Sequence, residues 1–160
     1  MPHGERDALL RWLQGNEHAA DLMQSLFAVS QVLDDLADGD TPTTPASRAG
    51  MAADAVAGLL VGVGNNPFYR AHENDLRPLC LDAVLAWQLS AELETGDTTD
   101  RCWAFVCRDS LERVLVGAAR IIGGLAWAGH VQRAAYRYFR RDHADGQSLP
   151  AWLDELRNEQ

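Results

Sequence analysis

The sequence contains no lysine, and its 14 basic residues other than histidine are all arginines. Isoleucine occurs only at Ile121 and Ile122. Because lysine and arginine usually mix on protein surfaces, this bias is more typical of the codon usage of a GC-rich genome than of a functional requirement. Positive charge is also scarce overall, since the formal net charge is −9. This surplus of negative charge argues against nonspecific binding to the phosphates of nucleic acids.

Long apolar runs are missing too. No stretch approaches 18 uninterrupted apolar residues, and no charged-then-apolar signal peptide opens the sequence. We therefore expect a cytoplasmic protein that does not bind a membrane and whose thiols stay reduced. Cys80, Cys102 and Cys107 lack the paired spacing that zinc prefers. We expect them to be small residues of the core.

Helical periodicity runs through every segment between the clusters of glycine, proline and asparagine, and no stretch alternates as a strand would. The pattern predicts helices over residues 5–13, 16–38, 44–63, 76–94, 98–122, 125–143 and 151–158, with one helical turn over 66–72. Asn16 and Thr44 are suited to cap the helices that follow them. The sequence thus predicts an all-α fold, a compact single domain over residues 1–160 built as a bundle of six or seven helices.

The third predicted helix, residues 44–63, is nearly all small and apolar. It carries Gly50, Gly58 and Gly62, which predicts close packing of its backbone against a neighbour. Because it has little polar surface, we expect it to be the buried central helix, with Leu59 and Leu60 among the most buried residues of the protein.

Four aspartates fall within seven residues from Asp34 to Asp40, where the second helix ends. Asp34, Asp35 and Asp38 share one helix edge, so their like charges repel one another. The helix macrodipole also disfavours anions at a C-terminus. A divalent cation or an arginine partner would relieve both effects, so we predict Asp34, Asp35 and Asp38 as ligands of a Mg²⁺ ion.

Two known motifs compete for this run. The EF-hand pattern fails, because Leu36 and Pro45 stand where the loop needs an oxygen ligand and a glutamate. Read as D-D-x-x-D, the run weakly resembles the motif with which isoprenyl diphosphate and terpene synthases hold Mg²⁺ against a diphosphate. That resemblance implies a second acidic group, for which Asp109 is the candidate.

A broader resemblance rests on three segments: LDDLADGD at 33–40, NPFYR at 66–70 and RDS at 108–110. They resemble segments of small helical proteins of tailed phages and prophages, and the similarity spans most of the chain. It implies an origin in a mobile element and no particular activity.

Arginines lie near the acidic groups in two places. Arg113 follows Asp109 by one turn, so an ion pair within one helix is the favoured interpretation, and a ligand pocket is the alternative. Arg137, Arg140 and Arg141 belong to a basic edge interleaved with aromatic residues. Either they pair with the acidic helices, or they engage a phosphate or a binding partner.

Two functions remain open at this point. The first is a non-catalytic, acidic accessory protein of a phage or prophage that binds a host or phage protein. The alternative is a Mg²⁺-dependent enzyme that handles phosphate or diphosphate through Asp34, Asp35 and Asp38. An exposed apolar or acidic patch would favour the first, and a shared concave pocket would favour the second.

Overall fold

The computed structural model describes residues 3–38, 44–139 and 149–158. Every regular element in these ranges is a helix, and they contain no strand, which confirms the all-α prediction. Seven of the helices in these ranges have ten or more residues, in agreement with the predicted six or seven. The chain divides into two compact units, Met1–Asn74 and Asp75–Gln160. A single domain over the whole chain stays a prediction.

Unit 1 contains α1 (His3–Trp12), α2 (Glu17–Asp38), α3 (Pro45–Ala57), a π-helical continuation of α3 (Gly58–Val63) and α4 (Pro67–Ala71). Its core holds Leu9, Leu13, Leu22 and Met23, all fully buried. The helix α2 lies at the centre of the unit, because α1, α3, the π-helical segment and α4 all contact it.

The helix starts of unit 1 follow from their capping residues. Asn16 accepts a hydrogen bond from the backbone N–H of Ala19 at 3.0 Å, and Thr44 accepts one from Ser47 at 3.2 Å, as predicted. Asn66 caps α4 and also donates to the carbonyl of His18 at 2.8 Å, which ties α4 to α2.

The prediction that the third helix is central is wrong. Leu59 is 43% exposed and Leu60 is 68% exposed. The predicted close packing does occur, but on one side only: a Cβ atom at Gly58 would lie 2.7 Å from the Val29 side chain of α2, and one at Gly62 would lie 3.0 Å from Ser25. Gly58 and Gly62 therefore face α2, whereas Leu59 and Leu60 are exposed.

Unit 2 contains α5 (Glu73–Leu93), α6 (Thr98–Cys107), α7 (Leu111–Arg137) and α8 (Leu149–Asn158). The helix α5 begins two residues before the boundary between the units at Asp75. Two buried serines connect its helices: Ser90 donates to the carbonyl of Ala104 at 3.1 Å, and Ser110 donates to that of Ala83 at 3.0 Å. Leu76, Val114, Leu115 and Val131 form much of the core. Trp152 of α8 is buried against Phe105, with 5.5 Å between ring centroids.

The helical region from residue 98 to residue 137 is interrupted twice. The predicted separation at the glycine pair is present as a kink, because Gly124 has a φ of 78°. The break between Cys107 and Leu111 was not predicted. Ser110 stabilises it, because its hydroxyl bonds the α5 backbone.

Candidate functional site

The predicted metal ligands of α2 lie at the end of the described part of that helix, Glu17–Asp38. Asp34 and Asp35 are half-buried. The Oδ1 atom of Asp35 accepts a hydrogen bond of 2.8 Å from Gln31 Nε2, one turn earlier. The side chain of Asp38 lies outside the described residues.

Within the described residues, no group of three or more His, Cys, Asp or Glu side chains is placed to hold a metal ion. This does not test the predicted Mg²⁺ site, since one of its predicted ligands, Asp38, is not among the described side chains. The Mg²⁺ site stays a prediction.

Asp109 and Arg113 belong to unit 2: Asp109 lies in the turn between α6 and α7, and Arg113 lies in the first turn of α7. The carbonyl of Asp109 accepts from the N–H of Glu112 at 3.1 Å. Arg113 makes an ion pair of 2.5 Å with Asp82 of α5, a partner on another helix that the sequence analysis did not consider. Both side chains of this pair are about half exposed, so its net contribution to stability is small.

The basic edge is described only in part. Arg137 is exposed at the last position of α7. Arg140 and Arg141 lie outside the described residues, so their proposed role with phosphate or a partner stays a prediction.

The three cysteines are free thiols that are half-buried. Burial raises the pKa of the Cys80 thiol, because desolvation disfavours the thiolate. They are therefore less deeply placed than the core position that we expected for them.

The outer face of the third helix is the feature that the sequence analysis missed. Opposite the side that contacts α2, this face presents Val56, Leu59, Leu60 and Val61 to solvent. A signal for it was present in the sequence: Met51, Ala55, Gly58 and Gly62 form a stripe at helical spacing that has room for a neighbouring helix, and the larger residues lie off that stripe. We call Val56, Leu59, Leu60 and Val61 the α3 outer face.

A second apolar face lies on α5 in unit 2. Leu81, Val84, Leu85 and Leu89 are each about half exposed. The opposite side of the helix, with Leu76, Ala83, Ala86 and Ser90, is buried.

Two helical stretches in the described part of the chain are long and apolar enough to cross a membrane, judged by length and composition alone: Pro45–Val63 and Thr98–Arg137. In the first, only 11% of the apolar window is buried, and in the second 39%. Core helices of soluble proteins meet the same criterion. The expectation that the protein does not bind a membrane stays a prediction.

Comparison with models of protein families, with curated proteins and with solved structures finds no match to this chain. The α3 outer face and the carboxylates of α2 are therefore interpreted from their own chemistry.

Proposed function

We propose that this chain is a non-catalytic accessory protein of a phage or prophage, and that the α3 outer face binds another protein. The observation that carries the proposal is the exposure of four large apolar side chains within six residues, from Val56 to Val61. Contiguous exposed apolar surface is uncommon on monomeric soluble proteins and marks interaction sites. The phage context rests on the resemblance of the three sequence segments.

The geometry of α3 suits docking of an apolar partner helix. Its inner side is held against α2 at Gly58 and Gly62, so the outer face is presented on a fixed element. Leu59 and Leu60 would supply anchors three and four residues after Val56.

Charge favours a protein partner over a lipid surface. Helices that lie in a membrane interface are rich in Lys and Arg, whereas Arg48 is the only basic residue between 45 and 63. The net charge of −9 also opposes approach to an anionic bilayer.

Peptides selected from a displayed library on the purified protein provide the test. We expect amphipathic helical peptides to be selected, and Leu60→Glu to weaken their binding at least tenfold, because a carboxylate would be desolvated in the interface. Leu125→Glu is the matched control, since Leu125 is 82% exposed on α7 of the other unit, and it should leave binding unchanged.

Two results would contradict the proposal. One is equal binding of the selected peptides to the native protein and to Leu60→Glu. The other is binding to phosphatidylethanolamine–phosphatidylglycerol vesicles that Leu60→Glu abolishes, which would make the face a membrane anchor.

A further inference from the structure

The exposed face of α5 has a charge pattern that complements itself. Among the exposed positions of α5, positions 77, 81, 84, 85, 88 and 92 recur at three- and four-residue intervals and so lie on one side of the helix. The apolar residues Leu81, Val84 and Leu85 occupy the middle of this strip. Arg77 lies seven positions before Val84, and Glu92 lies seven positions after Leu85.

This spacing has a specific consequence for pairing. If two α5 helices pack antiparallel about a two-fold axis between Val84 and Leu85, Arg77 of each copy faces Glu92 of the other. In the same arrangement Leu81 faces Gln88, and Val84 faces Leu85. A parallel arrangement would instead place Arg77 against Arg77 and Glu92 against Glu92. The charge pattern therefore favours antiparallel over parallel pairing of two copies of α5.

We propose that the protein forms a symmetric dimer in which α5 packs antiparallel against α5 of a second copy. Such an interface is isologous, so each residue contact occurs twice. Ala83, Ala86 and Ser90 on one side of α5 are buried, and the apolar residues of the opposite side are exposed. This surface belongs to unit 2, so the proposal does not depend on the α3 outer face.

The strength of the dimer follows from its size. The strip from Arg77 to Glu92 is about 24 Å long at the helical rise of ~1.5 Å per residue. One helix pair of this length buries less than the ~800 Å² per partner of a standard interface. We therefore expect reversible dimerisation with a dissociation constant on the order of micromolar.

Sedimentation equilibrium of the full chain between about 1 and 300 μM tests the proposal. We expect a monomer–dimer equilibrium that Leu85→Glu weakens more than about 100-fold, because two carboxylates would meet at the two-fold axis. Leu125→Glu is the matched control, since Leu125 is an exposed leucine on α7 that lies outside α5, and it should leave the equilibrium unchanged. A native protein that stays monomeric throughout, or a dimer that persists in Leu85→Glu, would overturn the proposal.

Charge reversal tests the orientation. Arg77→Glu and Glu92→Arg should each weaken the dimer about tenfold, which corresponds to ~1.4 kcal/mol shared by two symmetry-related pairs. The double variant should restore it, because each new charge again faces its opposite. Failure of the double variant to recover, with each variant's melting temperature checked for folding, would overturn the antiparallel pairing.

Disulfide formation provides an independent readout of the same geometry. With the native cysteines replaced by serine, Leu85→Cys should cross-link two copies, since this position lies next to the axis. Arg77→Cys should not, because the two copies of position 77 would lie about 22 Å apart along the helices, beyond the reach of a disulfide. Cross-linking at 77 and none at 85 would overturn the proposal in favour of a different arrangement.

Discussion

Replacement of Gly58 by alanine tests the close packing of the third helix on α2. Alanine favours a helix over glycine by about 0.8–1.0 kcal/mol, and Gly58 has helical dihedrals, so helix propensity alone predicts stabilisation. The added Cβ, however, would lie 2.7 Å from the Val29 Cγ2 atom, which is too close for any real contact. Val29 is buried and β-branched, so its side chain has little freedom to move away.

The magnitude follows from these two terms. Overpacking of this kind costs about 1–3 kcal/mol, which equals or exceeds the gain in propensity. Gly50 provides the matched control, because it lies in the same helix and nothing lies within 4 Å of a Cβ atom there. We expect Gly50→Ala to stabilise the protein and Gly58→Ala to be less stable than Gly50→Ala by about 1–3 kcal/mol.

Urea unfolding followed by far-UV circular dichroism measures the difference in free energy of unfolding between the two variants. Both substitutions lie in unit 1, so the two values can be compared directly. The double variant Val29→Ala with Gly58→Ala should recover part of the loss, because the methyl group that meets the new Cβ is gone. If Gly58→Ala stabilises the protein as much as Gly50→Ala, or if the double variant shows no coupling, the packing of α3 on α2 is not as described.

Two further predictions concern the thiols and the carboxylates. In a variant with Cys102 and Cys107 replaced by serine, Ellman's reagent should label Cys80 at pH 8 more slowly in the native protein than in the unfolded chain. The reason is that burial raises the pKa of the Cys80 thiol and leaves less thiolate. Equal labelling rates would contradict this. As a hypothesis, Mg²⁺ at ~100 times its dissociation constant should stabilise the protein by about 2.7 kcal/mol, and Asp35→Asn with Asp38→Asn should remove that response; a melting temperature unchanged by Mg²⁺, Mn²⁺ and Ca²⁺ would exclude the site.

The local structure of unit 1 could be predicted from the sequence because its determinants are local. Asn16, Thr44 and Asn66 each stand just before a helix, and each accepts a backbone hydrogen bond there. Gly58 and Gly62 of the third helix correctly indicated a close approach to another helix, whereas the same prediction at Gly50 is wrong, because nothing lies within 4 Å of a Cβ atom there. All of these rules act over a few residues.

The position of the third helix could not be predicted in the same way. A low polar content of this helix is compatible with burial on all sides, and equally with one side that is exposed and binds a partner. The distribution of residue sizes carried the missing information, because Gly58 and Gly62 fall on one side of the helix and Leu60 on the other. Composition averaged over the helix conceals that difference.

Arg113 shows how a wrong boundary changes the interpretation of a site. The rule that residues one turn apart interact holds inside a helix, and the prediction placed Asp109 and Arg113 in one helix. The chain instead leaves helix between Cys107 and Leu111, so that premise fails, and Arg113 pairs with Asp82 of α5. This partner is 31 positions away in the sequence, and only the packing of α7 beside α5 brings it near.

The Mg²⁺ hypothesis has two separate parts. Asp109 enters it only as the second acidic group that the D-D-x-x-D resemblance implies, and this residue belongs to unit 2. The other part concerns α2, in which the described helix reaches Asp38 and holds Asp34 and Asp35 near its end. Mg²⁺ commonly binds through one or two carboxylates and completes its shell with water. The variants at Asp35 and Asp38 therefore test the carboxylates of α2, and Asp109 stays a predicted further ligand.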